Sequence, residues 1–265
     1  MQNQFGKTSL CSVQAGYEED RTKLEKVSFT APFKIMSPFY EPDGFMHVMV
    51  LSASAGIMEG DAQEFFLEAK KGARLRFSAQ AYEKIHKMKQ GQAVRHTRLL
   101  VERGGILDYF SQPVIPFAQS AFSSTLEAEL EDSTAALLYQ EILSCGRAAR
   151  GEEFQYRFYR NLVSVRRQGK LIYRDNCCFE PQLMELQAVG MYEGFHHMGS
   201  FLAFGIEEPE EKIAEIRSLL DQEEDLQGGA TKITEHDLAV RVLGNRAQEL
   251  EEFFEKIKGK VLLGY

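Results

Sequence analysis

The chain has 265 residues, 44% of them hydrophobic and 26% charged, globular proportions that exclude a disordered tail. A net charge of −8 argues against a nucleic-acid binder, and no apolar run approaches the ~18 residues needed to cross a bilayer. The opening MQNQFGKTSLC lacks an apolar signal core, so a cytoplasmic protein with reduced Cys11, Cys145, Cys177 and Cys178 is expected.

The body reads as short strands. Ala73, Leu75, Phe77, Ala79 and Ala81 alternate with Arg74, Arg76, Ser78 and Gln80, which sets the two groups on opposite faces of an extended chain. Leu126, Ala128 and Leu130 alternate with Glu127, Glu129 and Glu131 in the same way. Phe154, Tyr156 and Phe158 are followed by Val163 and Val165 in the opposite phase, which predicts a bulge or turn near Arg160 and Asn161. Gly72, Gly91, Gly104, Gly105, Gly151 and Gly169 recur between these runs, a mainly β signature. No internal repeat of fixed period is present.

The end differs. Residues 201–265 hold 15 acidic and 8 basic residues, against 24 and 23 in the first 200. Pro209 suits a first helical position, and Ile213, Ile216, Leu219 and Leu220 form one apolar stripe, which Gly228 and Gly229 are expected to end. A strand is expected around Leu238, Val240 and Val242. A second helix follows, with Asn245 as N-cap, Gln248 answering it, Leu250, Phe253, Phe254 and Ile257 buried, and Gly259 as its stop. The reading is a single domain over 1–265, strand-rich over 1–205 and helix–strand–helix over 206–265.

Chemistry is sparse. Neither a phosphate-cradling glycine loop nor a zinc spacing occurs. His196 and His197 are weak metal candidates, because neighbours on a strand point to opposite faces; a hydrogen-bonded loop role is the plain alternative. Three segments stand out: SASAGIMEGDAQ with Gly56, Gly60 and Asp61, QEILSCGRAARGEEF with Glu141, Gly146, Arg147, Gly151 and Glu152, and KLIYRDNCCFEP with Asp175. Each also has a plain account as a tight turn, a local ion pair or a strand edge.

Taken in order, PFKIMSPFYEPDG, GIMEGDAQ, YEKIHKM, YFSQPVIPFAQSAF, EILSCGRAARGEEF and ATKITEHDLAVRVLG resemble the urease accessory proteins UreD and UreH over nearly the whole chain. Two departures are Ala55–Gly56 where the family has paired glycines, and a chain that stops at KVLLGY without the family's proline- and arginine-bearing tail. The resemblance implies a right-handed β-helix-like stack of short strands with two α-helices near the C-terminus. It also implies a chaperone and not an enzyme: a scaffold that binds UreF, helps recruit the GTPase UreG, docks on apo-urease as a dimer of heteromers, and holds no permanent cofactor while nickel passes in transit. Asp61, Glu141 and Asp175 fall on acidic family positions and become candidates for an internal nickel path, while Arg147 and Arg241 fall on positions expected to pair with carboxylates. A secreted-type β-helix carbohydrate-active enzyme and a non-metal structural binding module are the rival readings. Neither secretion nor regular coil repeats favour the first.

Overall fold

The computed structural model describes residues 8–262; the opening heptapeptide and the end of the KVLLGY step lie outside the described residues. The chain starts with β1 (Thr8–Glu18), β2 (Arg21–Phe29), β3 (Phe33–Ile35), β4 (Phe39–Tyr40) and β5 (Met46–Ser52). Next come β6 (Ala62–Ala69), β7 (Arg74–Ala79), β8 (Glu83–Ile85), β9 (Ala93–Val101), β10 (Ile106–Phe110), β11 (Val114–Pro116), β12 (Ala121–Leu130) and β13 (Ala136–Ser144). After the small hairpin β14 (Gly146–Arg147) and β15 (Glu152–Glu153) follow β16 (Phe158–Arg167), β17 (Lys170–Phe179) and β18 (His197–Phe204). The last elements are α1 (Pro209–Leu220), β19 (Leu226–Thr234), β20 (Asp237–Gly244) and α2 (Ala247–Val261).

The architecture is mainly β, in two mixed sheets. One holds seven strands in the order β17-β16-β12-β9-β6-β1-β2; the other holds eleven along β19-β20-β18-β13-β10-β7-β5-β3, with β4, β8 and β11 attached at the side. From β5 to β13 the chain passes back and forth between the sheets, so that β5, β7, β10 and β13 are parallel neighbours in one and β6, β9 and β12 in the other. The spacing of paired residues varies: Met46 lies beside Leu75, 29 positions on, and Ala121 beside Phe158, 37 positions on. A structural recurrence of variable length explains why no fixed period is visible in the sequence.

The expected alternations set the core. Leu75, Phe77, Leu126, Leu130, Val163 and Val165 meet in one cluster between the sheets. Leu250, Phe253, Phe254 and Ile257 of α2 and Ile213 and Ile216 of α1 cover the outer face of the eleven-stranded sheet against Leu138, Phe201, Val240 and Val242. The approach is close: a Cβ on Gly199 would sit 2.6 Å from Cζ of Phe254, so only glycine lets α2 settle there.

Several boundaries differ from expectation. The segment between the helices is a two-stranded hairpin, and Gly228 and Gly229 lie inside β19 instead of ending α1, which stops at Leu220. A Cβ on Gly228 would meet the Arg241 carbonyl at 2.4 Å; the glycine serves strand packing. Asn245 is not the cap of α2: Arg246, in extended conformation, precedes the helix without a side-chain cap, and the Asn245 backbone instead bonds His197. Gly259 does not stop α2, which continues to Val261. Nor is there a bulge at Arg160–Asn161. β16 runs unbroken beside β12, and the register shift against β17 falls between Val165 and Arg166. The phase change arises earlier, because Phe154 and Tyr156 precede the strand and Phe154 has φ +51°.

One buried ion pair fastens the two sheets. Asp237 is 0% exposed and accepts from Arg167 Nη1 at 3.1 Å and Nη2 at 2.5 Å, from the Gly205 amide at 3.0 Å, and from the Thr234 hydroxyl. Removing one partner of a buried pair strands the other charge. Asp237→Ala is therefore expected to lower unfolding free energy by about 3–5 kcal/mol, measured by urea titration. Gly259 lies on the exposed side of α2 with open space at its Cβ position; Gly259→Ala is expected to raise stability by about 0.5–1 kcal/mol in the same assay.

Candidate functional site: a polar row between two apolar cores

On several strands of the seven-stranded sheet, polar residues at inward positions break the apolar series. β9 places Ala93 in one buried cluster and Leu99 in another, with Arg95 and Thr97 between; β12 places Phe122 and Leu126 around Ser124, and β16 places Tyr159 and Val163 around Asn161. Cross-strand register lines these residues up. Gln63 is paired with Arg95, Arg95 with Ser124, Ser124 with Asn161, and Asn161 with Cys177. Across the interior, Glu141 pairs with Ser200 and Ser200 with Arg241 on the eleven-stranded sheet. A polar row thus divides the space between the sheets.

At one end stands Arg95, 6% exposed. Its Nη1 and Nη2 each donate at 2.5 Å to Glu83, and Nε and Nη2 donate to Gln63 Oε1 at 3.0 and 2.6 Å. Burial opposes its charge, but the Glu83 carboxylate outweighs this and raises the guanidinium's pKa. Gln63, Glu83, Arg95 and Tyr109 border a cavity of about 150 Å³ that Ser52, Ser54 and Tyr82 also line.

Glu141 occupies the middle. Tyr139 OH donates to it at 2.9 Å, Tyr159 OH at 2.8 Å and Asn161 Nδ2 at 2.6 Å. All three donors are neutral. Burial raises the pKa of Glu141, with the Tyr159 and Tyr139 bonds opposing. Burial and the adjacent Glu141 charge push both tyrosines well above their usual range, so they stay protonated as donors.

At the far end Arg241 Nη2 donates to Asp175 Oδ2 at 2.5 Å. The pair spans the seam where β17 approaches β19 and β20, and it lines a groove with Tyr173, Ser200 and Thr231. Cys177 Sγ lies 3.5 Å from Asp175 Oδ1. Burial, with Asp175 adding, pushes this thiol up to about 12, so at neutral pH it is not the thiolate that metals bind.

The structure gathers Glu141, Asp175 and Arg241 and leaves Asp61 apart. Asp61 Oδ2 accepts from the Met58 amide at 2.7 Å, and its own amide donates to the Met58 carbonyl at 3.1 Å, a self-contained turn with Gly60. Gly56 and Gly146 form matching corners. Each has strongly positive φ (+142° and +131°), a serine two residues before it bonded to its amide and carbonyl, and a neighbouring backbone oxygen where a Cβ would go. Arg147 grips Glu152 through two bonds and stacks on Phe117 at 3.9 Å, while Gly151 closes the intervening turn with φ +70°.

His196 Nε2 is 3.7 Å from Glu153, and burial lowers His197 to about 4. Among the described residues, no three His, Cys, Asp or Glu side chains are gathered to hold a metal ion. Arg95, Gln63, Glu83, Tyr139 and Tyr159 were not singled out from sequence, and Asn161 was named only for an expected bulge. Their signal was present as a polar residue, or an aromatic with a hydroxyl, at an inward position of an alternating strand.

Two outcomes are expected. Between pH 6.5 and about 4 the unfolded chain protonates His197 while the folded chain does not, so stability is full above pH 6.5 and falls as pH drops through that window. His197→Gln should flatten this part of the acid limb in melting temperature measured against pH. Glu83→Ala leaves Arg95 charged and buried; a loss of about 3–5 kcal/mol is expected by chemical denaturation.

Comparison with known proteins agrees with the sequence motifs. The family model described as "UreD urease accessory protein" matches residues 7–261. The urease accessory protein UreD of Acetivibrio thermocellus is 40% identical over 259 residues, covering 97% of this chain and 98% of that protein. UreH of Helicobacter pylori strain P12 is 32% identical over 239 residues, 90% of this chain and 89% of its own. UreD of Flavobacterium johnsoniae is 31% identical over 253 residues, 94% and 91%. With the family motifs spread from one end of this architecture to the other, the chain belongs to the UreD/UreH family of urease accessory proteins.

Proposed function

We propose that the protein is a scaffold for urease maturation that binds UreF, brings in the GTPase UreG through that complex, docks on apo-urease and lets nickel pass into the urease active site. It works in the cytoplasm, in a dimer of heteromers, with nickel as cargo and no resident cofactor, and it is a chaperone with no catalytic step of its own. The alternation of β5 to β13 between two sheets supports reading the body as β-helix-like.

The observation that carries the nickel reading is Glu141, an interior carboxylate held by three neutral donors. Even a half-buried charge without a directly bonded counter-ion is costly, and a passing cation would offset that cost. The charges on either side are already matched, Arg95 by Glu83 and Arg241 by Asp175. Nickel binds nitrogen and thiolate ligands tightly, so a path of isolated oxygen donors gives weak stops and quick release. Asp175, in the groove at the seam, suits a mouth of that path if Arg241 swings aside. Asp61, tied to its own turn, suits a role outside it.

The test is maturation of purified apo-urease with UreF, UreG, GTP and nickel. Glu141→Gln keeps the shape and accepts two of the three bonds while losing the charge. Charge-assisted contacts are worth about 1.5–3 kcal/mol, so nickel content of the urease should fall roughly tenfold or more while UreF binding is unchanged. Asp175→Leu should act in the same direction. Normal nickel content with both substitutions would remove these carboxylates from the path.

A further inference from the structure

The space between the sheets is left open along one side. β2 ends the seven-stranded sheet and pairs with β1 alone, while β3 ends the eleven-stranded path and pairs with β5 alone. Directly opposed residues of neighbouring strands share a face. Val27 lies opposite Val13 and Phe29 opposite Cys11, both in the core between the sheets, so Val27 and Phe29 point inward. They are nevertheless 41% and 44% exposed, against 0% and 1% for Val13 and Cys11. Among the described residues, no further strand closes the interior beside them. The other end of β2 is covered. Thr22 accepts from the Arg74 amide at 2.8 Å through its hydroxyl and from Tyr40 OH at 2.8 Å through its carbonyl, and Leu24 packs on the core. The free stretch is therefore 25–29, every residue of which is exposed.

An edge strand offers unpaired backbone amides and carbonyls, and apolar side chains beside them make it a template for one more strand. Charge selects which strand. In a chain of net charge −8, residues 21–34 hold four basic residues and one acid. The acids nearby are already committed, Glu18 and Glu19 to Lys23, and Glu25 to Lys70 at 2.5 Å. Lys26, opposite Gln14 on the outer face, and Lys34, between the core residues Phe33 and Ile35, are exposed. Among the described residues neither has a carboxylate partner. Period two in β2 thus presents a cation on one face and two apolar side chains on the other. A second copy paired edge to edge would bring like-charged Lys26 side chains onto one seam, which disfavours it.

We infer that the free edge of β2 receives a short strand of a partner protein in which apolar and acidic side chains alternate. Its apolar side chains close the interior over Val27 and Phe29, and its acidic side chains meet Lys26 on the outer face, with Lys34 adding attraction from the other rim. The proposal stands apart from nickel passage and from the urease-maturation reading.

The experiment uses the full chain and one probe, a fluorescein-labelled, end-capped peptide alternating valine and glutamate, titrated by fluorescence anisotropy. A peptide alternating valine and lysine is the control. Saturable binding of the acidic peptide is expected, weakened by added salt, with the lysine peptide bound roughly tenfold more weakly or worse. Lys26→Glu is expected to weaken the acidic peptide by roughly fivefold or more, and Val27→Asp likewise; Val27→Thr takes its place if the aspartate lowers the melting temperature. Absence of binding to the folded wild type overturns the proposal. Equal binding of the two peptides overturns it as well, because charge then selects nothing. Unchanged affinity in both the Lys26 and the Val27 variants places the contact elsewhere and overturns it. A wild-type dimer in sedimentation velocity that the Val27 variant dissociates overturns it in favour of a second copy of the chain.

Discussion

The interior of this protein is organised by the cost of burying polar groups without partners. Gln63, Arg95, Ser124 and Asn161 lie at one level across four adjacent strands, and Arg95 and Asn161 find their partners across the interior or along the row. Arg95 would be intolerable alone; Glu83 and Gln63 take up its donors. Asn161 bridges to Glu141 on the opposite sheet. The row therefore ties the sheets together where hydrophobic packing alone would leave their register free, and it separates the cluster around Leu75, Leu99 and Val163 from the one around Ile85, Phe122 and Tyr192.

Polar satisfaction inside a protein favours one arrangement over many near-equivalents. Arg167 with Asp237 performs the same task at the sheet ends, and Arg76 and Lys258 do so on the outer face by converging on buried Asp108 at 2.7 and 3.1 Å. The last contact fixes α2 along its axis, which its apolar stripe could not do alone. Glu141 differs from these carboxylates in having hydroxyl and amide donors in place of a cationic partner. That difference is what the proposed nickel path rests on.

Urease accessory activity and interior chemistry meet in how little the site resembles a metal centre. Cys177 beside Asp175 could suggest a soft ligand, yet its thiol holds its proton to about 12. His197, driven to about 4 by burial, is neutral at physiological pH but is enclosed near Asn245, away from the row. Among the described residues, the side-chain donors left between the sheets are oxygens, which would suit the proposed passage of a cation better than its storage.

Much was legible from the chain alone. Period-two runs such as 73–79 and 126–130 gave strands and their buried faces, Pro209 gave the start of α1, and the stripe from Leu250 to Ile257 gave the covered side of α2, because each depends on residues a few positions apart. Asp61 in its turn and Arg147 beside Glu152 were readable for the same reason, and the ordered motifs gave the family. Asn161 was misread as the site of a bulge because Phe154 and Tyr156 lie before the strand and Phe154 has φ +51°; Gly228 was misread as a helix end and Gly259 as a stop, since glycine has the same local meaning in a strand, a cap or an exposed helix position. The row itself belongs to the tertiary structure. Its members come from strands whose paired residues lie 29 to 37 positions apart, and only parallel stacking of those strands decides that Arg95 falls beside Gln63 and Asn161 reaches Glu141; no local pattern encodes which distant polar residue will share a level.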